Sequence, residues 1–169
     1  MENLRLYRVK NHYIRYLSSI DNKVQYNKRA RRPYVGIVLH VDNYQYFVPL
    51  ESPKPNHINV KSGKHLLKLD GGNLGIMGFN NMIPVHISAL IHFNIEKEDD
   101  ERYIELLKRQ VRWINNNKDK VSEHAQKTYN EIVFKDNSFM KTICCDFKKL
   151  ENACDRYNPN FRRNKNYHR

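Results

Sequence analysis

Residues 32–54, RPYVGIVLHVDNYQYFVPLESPK, carry the clearest structural pattern in the sequence. It holds two runs rich in β-branched and aromatic side chains, residues 35–39 and 44–50, with the turn-forming pair Asp42-Asn43 between them. Two such runs around a short polar turn predict an antiparallel β-hairpin. The prolines at positions 53 and 55 cannot donate ladder hydrogen bonds, so the second strand is expected to end just before them.

The rest of the first half also predicts mainly strands. Residues 11–20 are an exception, because their apolar side chains recur at helical spacing. Residues 21–32 are polar and basic and predict a loop. Further strands are expected at residues 4–9, 66–69, 74–79 and 82–85.

The second half predicts helices. Apolar side chains recur at helical spacing over residues 98–115, again over residues 125–133, and a third time over residues 139–154. A β-rich half followed by a helical half predicts one α+β domain over residues 1–169. Its core is expected to be a small, highly twisted antiparallel sheet, or a barrel-like version of one, covered by helices from the C-terminal half. The basic tail, residues 156–169, is expected to be flexible.

The charge balance indicates a polyanionic partner. The chain has 30 Lys and Arg against 18 Asp and Glu, which gives a formal net charge of +12. No apolar run reaches the roughly 20 residues that a bilayer span needs, and no secretory signal is evident, so we expect a cytoplasmic protein without a membrane partner. The 3 cysteines, all in one late segment, indicate reduced thiols rather than a disulfide framework or a zinc site.

RNA is the polyanion that this composition fits best, because many cations lie beside aromatic side chains and 11 of the residues are tyrosines. No helix-turn-helix or zinc motif for DNA is evident, and DNA is not expected as a partner. The candidate RNA contacts are Tyr26, Lys28, Arg29, Arg31, His57, Lys61 and Lys64. From the residues alone, the loop at residues 21–32 can equally be a solvated basic loop that binds phosphate without catalysing. Tyr26 can pack on the core instead of stacking on a base.

The segment that follows the second hairpin strand is the best candidate for catalysis. RNA carries its own nucleophile, the 2′-OH, so cleavage requires cations, hydroxyls and proton-transfer groups but no metal. Ser52 and Lys54 place a hydroxyl and an ammonium close together in a loop stiffened by proline. No metal-binding or cofactor-binding signature is present, so neither is expected. Two alternatives are an ordinary polar loop at this place and a non-catalytic RNA-binding module.

An ordered set of short segments resembles the ToxN/AbiQ family, the toxins of type III toxin–antitoxin systems. The segments that carry the resemblance are residues 32–39, 46–50, 52–54, 74–75, 79–85 and 113–115. The resemblance implies a sequence-preferring endoribonuclease, often cutting adenine-rich RNA, with a core similar to that of Kid/MazF-type toxins. It also implies inhibition by a tandem-repeat pseudoknot RNA that the toxin processes, and assembly with that RNA into a closed ring. Attack by the 2′-OH without a metal is expected to leave 2′,3′-cyclic phosphate and 5′-OH ends. Cellular and phage RNAs are the implied substrates, in abortive infection.

Carried over residue by residue, the resemblance implies active-site roles for Ser52 and Lys54. The basic residue before the first hairpin strand is Arg32, where lysine is usual, and the loop tyrosine is best matched by Tyr26. Glu51 stands where the family commonly has threonine or serine. It is therefore a fourth catalytic candidate, either as a general base or as a replacement for the family hydroxyl that repels the phosphate and reduces activity.

Overall fold

Seven antiparallel strands form the centre of this computed structural model, which describes residues 2–159. The strands are β1 Arg5–Val9, β2 Tyr34–Val41, β3 Tyr44–Glu51, β4 Leu66–Lys68, β5 Ile76–Gly78, β6 Ile83–Pro84 and β7 Leu90–His92. Their order in the sheet is β4-β5-β3-β2-β1-β7, with β6 paired to β3 beside this path. The predicted hairpin is confirmed as β2 and β3, in which Val41 lies opposite Tyr44.

Five α-helices within residues 2–159 complete the α+β fold and confirm the predicted fold class. They are α1 Asn11–Ile20, α2 Glu101–Asn116, α3 Lys118–Val133, α4 Ser138–Ile143 and α5 Phe147–Arg156. Four of the five come from the C-terminal half, as predicted. The predicted flexible tail begins at Arg156, which is the last residue of α5, while residues 160–169 lie outside the described residues. Among residues 2–159, no helix is both long enough and apolar enough to cross a bilayer.

The prediction of a single helix over residues 139–154 is wrong, because residues 144–146 are not helical and separate α4 from α5. The Cys145 N–H donates to the Asn80 carbonyl at 2.8 Å, and the Asp146 N–H donates to Asp21 Oδ2 at 2.7 Å. The side chain of Asp146 then accepts the Lys149 N–H and begins α5. These contacts with distant segments replace the helical hydrogen bonds, and a periodic apolar pattern does not reveal them.

Strand β7 was not predicted, because a run of three residues carries little periodic signal. It pairs with β1 at one end of the sheet, with His92 opposite Tyr7. The three cysteines are free and buried, as expected, although Cys144 and Cys145 lie in the break between the last two helices rather than on a helix.

A buried carboxylate ties the last helices to the central strand. Glu151 on α5 is 2% exposed and accepts hydrogen bonds from Tyr46 on β3, at 2.8 Å, and from Tyr129 on α3, at 2.7 Å. Buried charges require such partners to offset the loss of hydration. This network fixes β3, and therefore the segment that follows it, relative to the helical layer.

Candidate active site

A turn with two glycines packs against residues 51–57, the candidate motif that holds Glu51, Ser52, Lys54 and His57. Gly72 and Gly75, between β4 and β5, have φ values of +101° and +103°. A Cβ on Gly75 would lie 1.9 Å from the Glu51 carbonyl oxygen, and one on Gly72 would lie 2.8 Å from the His57 carbonyl oxygen. Glycine is required at both places for the backbone angle and for the close approach. The backbone at Glu51 and at His57 therefore packs directly against this turn.

The carboxylate of Glu51, the last residue of β3, joins three parts of this region. Its Oε1 accepts a hydrogen bond from Gln25 Nε2 at 3.1 Å, and its Oε2 accepts one from Lys54 Nζ at 3.3 Å. The Nε2 atom of His57 lies 3.8 Å from the same Oε2. The Glu51 side chain is 22% exposed and that of Lys54 is 59% exposed, so the ammonium faces solvent while the carboxylate lies below it.

These contacts keep Glu51 ionised. Burial alone would raise its pKa, but the hydrogen bonds from Gln25 and Lys54 more than offset burial, and the pKa of Glu51 falls below its usual value. The positive charges of Lys54 and Arg32 act in the same direction. At neutral pH the group is therefore a carboxylate with two cations nearby.

Ser52 opens onto a separate cleft of about 310 Å³ between the end of β3, the basic loop and the start of the helical half. The cleft is lined by Arg8, Lys28, Arg31, Pro33, Leu50, Ser52, Glu98 and Tyr103. Glu98 forms an ion pair with Arg8, whose guanidinium also lies over the Phe93 ring at 4.1 Å. Lys28 and Arg31 are exposed, so the cleft presents two available cations beside the serine hydroxyl.

The basic loop presents its tyrosine to solvent. Tyr26 is 70% exposed, which decides against the alternative that it packs on the core. Asn27 anchors the loop, because its buried amide donates to the Val9 carbonyl at 2.8 Å. Lys28 and Arg29 follow in the left-handed region, with φ values of 49° and 56°, a conformation that side-chain-bearing residues adopt at an energetic cost.

Arg32 has a different position from the one expected of a phosphate contact on the surface. The residue is 6% exposed, and its Nε donates to the Tyr26 carbonyl at 2.7 Å. It therefore holds the basic loop from below, while its charge acts on Glu51. This inward orientation cannot be read from the local sequence, in which Arg32 is one of several basic residues, and the structure places the others at the surface.

Three predicted RNA contacts remain, His57, Lys61 and Lys64, and none of them lines the Ser52 cleft. His57 is 2% exposed, which does not fit direct contact with RNA. Lys64 bonds to Glu131 on α3 at 2.6 Å and does not line the Ser52 cleft. Lys61 is exposed in the loop after the motif. The structure thus brings Ser52 together with Lys28 and Arg31, and Glu51 together with Lys54, Arg32 and His57.

Several residues of the site were missed by the sequence analysis. Gln25 binds Glu51, while Arg8, Glu98 and Tyr103 form the far wall of the cleft. They come from three distant segments, and only their side-chain types could have indicated a polar role. In the described part of the chain, no three His, Cys, Asp or Glu side chains are grouped so that they could hold a metal ion.

The antiparallel sheet, the helical cover and the cationic cleft beside Ser52 define a small α+β protein that can bind a polyanion. Residues 5–155 match the family model for Toxin ToxN, type III toxin–antitoxin system. The match covers most of the chain, and the protein belongs to this family of toxins. It confirms the resemblance inferred from the ordered sequence segments.

Named relatives agree with this assignment. Endoribonuclease ToxN of Bacillus thuringiensis subsp. kurstaki is 32% identical over 165 residues, covering 92% of this chain and 85% of its own. Endoribonuclease AbiQ of Lactococcus lactis subsp. lactis is 28% identical over 159 residues, covering 88% of this chain and 86% of its own.

Solved structures show that the fold is shared as well. One is a type III toxin selectively inhibited by a non-coding RNA pseudoknot, with a TM-score of 0.82, 30% identity and coverage of 92% of this chain and 98% of that chain. A second is AbiQ, a lactococcal anti-phage endoribonuclease of a type III system, with a TM-score of 0.80, 27% identity and coverage of 91% and 97%.

Proposed function

We propose that this toxin is a metal-independent endoribonuclease that cuts RNA by attack of the 2′-OH on the adjacent phosphate. The products are a 2′,3′-cyclic phosphate and a 5′-OH. The observation that carries the proposal is the pairing of an ionised Glu51 with the exposed Lys54 ammonium, next to a serine that opens onto a cationic cleft. The relatives named endoribonucleases support RNA as the substrate.

Each group has a role that its chemistry allows. Glu51, kept ionised by its neighbours, accepts the proton of the 2′-OH as general base. Lys54 neutralises charge that develops on the phosphorane and donates a proton to the leaving 5′-oxygen as general acid, which gives the 5′-OH end. Ser52 Oγ donates a hydrogen bond to a phosphate oxygen. Arg32 adds a fixed positive charge below the site and holds the loop in place.

The exposed cations and the exposed tyrosine bind the RNA around the scissile phosphate. Lys28 and Arg31 lie in the cleft and contact phosphates, and Tyr26 offers its ring for base stacking. Arg29 and Lys61 extend the positive surface. Sequence preference then depends on the bases that the cleft accepts.

The partner is an antitoxin RNA made of tandem repeats folded as pseudoknots, which the toxin processes and with which it forms a closed ring. The related toxin inhibited by a non-coding RNA pseudoknot supports this partner, and the anti-phage relative supports a role in abortive infection with phage and cellular RNAs as substrates. Because these RNAs are cytoplasmic, we place the activity in the cytoplasm.

Incubation with an adenine-rich RNA in excess EDTA tests the proposed reaction. We expect cleavage at an unchanged rate, with 2′,3′-cyclic phosphate ends identified by mass spectrometry. Cleavage that stops in EDTA and returns with magnesium would contradict metal independence. Tight binding without any cleavage, at every metal concentration, would favour the alternative of a non-catalytic RNA-binding module.

A further inference from the structure

His57 is a buried polar residue with a defined neighbour at each ring nitrogen, the Lys54 N–H at Nδ1 and the Glu51 carboxylate at Nε2. Its side chain is 3% exposed, and the residue is the third of the 3₁₀ turn Pro55–Ile58. The Nδ1 atom accepts the backbone N–H of Lys54 at 3.2 Å, and the His57 N–H donates to the Lys54 carbonyl at 2.9 Å. Two reciprocal bonds therefore fix the backbone of Lys54.

The first of these bonds determines where the ring proton lies. An imidazole nitrogen that accepts a hydrogen bond carries no proton, so the neutral ring holds its proton on Nε2. The Nε2 atom is 3.8 Å from Glu51 Oε2, which is too long for a hydrogen bond but close enough for the N–H dipole to attract the carboxylate. One ring thus faces both members of the Glu51–Lys54 pair.

The backbone of His57 is held from two sides. Gly72 contacts the His57 carbonyl so closely that a Cβ would lie 2.8 Å from it, and the reciprocal bonds hold the residue from the other side. A histidine that is held in this way and hidden from solvent acts through its neighbours.

We propose that His57 is a positioning residue for the cleavage reaction, an inference that rests on the proposed function. It orients Lys54 through the main-chain bond to Nδ1 and orients Glu51 through the Nε2–H group. In this way it sets the distance between base and ammonium. Such a residue affects the rate of the bound complex more than the affinity for RNA, because neither of its ring nitrogens contacts the ligand.

A matched pair of variants separates positioning from general stability. In His57→Asn the side-chain oxygen can occupy the place of Nδ1 and accept the Lys54 N–H. In His57→Gln the polar group reaches toward the place of Nε2 and leaves that N–H without an acceptor. We expect kcat to fall about 100-fold in His57→Gln, the usual cost of a displacement of about 1 Å, and clearly less in His57→Asn. KM is expected to change little in both variants. Equal losses of kcat in both variants, or losses that follow their melting temperatures, would overturn the inference.

A second measurement does not depend on activity. In ¹⁵N-labelled wild-type protein, the imidazole spectrum of His57 is expected to show the Nε2–H tautomer, and the Lys54 amide is expected to exchange slowly. An Nδ1–H tautomer would overturn the positioning role whether or not RNA is cut. A wild-type protein that shows the expected tautomer but never cleaves RNA would instead refute the proposed function.

Discussion

Replacing Lys54 by alanine is expected to abolish most cleavage while leaving the fold intact. Removing one preorganised group that stabilises a developing oxyanion costs about 2.7–4 kcal/mol of barrier, so the rate should fall roughly 100- to 1,000-fold. The cost in folding stability is much smaller. The ion pair with Glu51 spans 3.3 Å with the Lys54 side chain 59% exposed, and such surface pairs contribute about 0.2–1 kcal/mol.

The assay is single-turnover cleavage of a fluorescently labelled RNA, with thermal melting measured in parallel. A loss of up to about 1 kcal/mol corresponds to a melting temperature lower by about 2–4 °C in a chain of this size. Lys127→Ala is the matched control, because Lys127 is 56% exposed and pairs with Glu123 within one helix away from the cleft. It should melt like Lys54→Ala and cleave like the parent. A Lys54→Ala protein that keeps more than about a tenth of the parental rate would refute the reasoning, since that residue would supply too little of the barrier reduction.

Two further predictions use carboxylates with lowered pKa values. Glu51→Gln and Glu51→Thr should each reduce cleavage by about 100-fold or more, the usual range for a lost general base. Because the pKa of Glu51 lies below 4.5, the base should be protonated, and cleavage lost, only as the pH falls below that value. A Glu51→Thr protein as active as the parent would show that no carboxylate base is needed. Glu131 has a pKa lowered to about 2 by hydrogen bonds from Lys64, Asn137 and Lys135, so its stabilising effect is present above pH 4.5 and is lost as the pH falls toward 2. Glu131→Gln should therefore unfold more easily than the parent at neutral pH and show a flatter stability curve between these values, measured by urea denaturation; parallel curves would contradict this role.

The sequence predicted most of the elements, because their patterns are local. The β2–β3 hairpin depends on two apolar runs and the turn Asp42-Asn43 between them, and α1 matches its predicted bounds at Asn11–Ile20. The break between α4 and α5 could not be predicted in this way. It depends on acceptors from Asn80 and Asp21, which are remote in the chain, and these contacts override a continuous helical pattern.

The candidate site was predictable in its residue types but not in its orientations. Ser52 and Lys54 are exposed, as expected of a polar loop at the end of a strand. Arg32 and His57 face inward, and nothing in their immediate neighbours indicates it. The inward positions depend on the path of the basic loop over the end of β3 and on the two glycines that support the motif. Those are tertiary contacts, so a single sequence does not encode them in a local pattern.

The structure also shows how a carboxylate can stand at position 51, where the resemblance leads one to expect a hydroxyl. An isolated Glu51 would repel the phosphate of the substrate. Here the carboxylate bonds to Lys54, and the buried charge of Arg32 acts on it as well, so the three groups together carry one net positive charge. Because the amide of Gln25 binds the same carboxylate, the position of the basic loop is coupled to that of the ammonium. Glu51 therefore links the loop that we propose binds RNA to the motif that we propose cleaves it, and the phosphate would still meet a net positive surface.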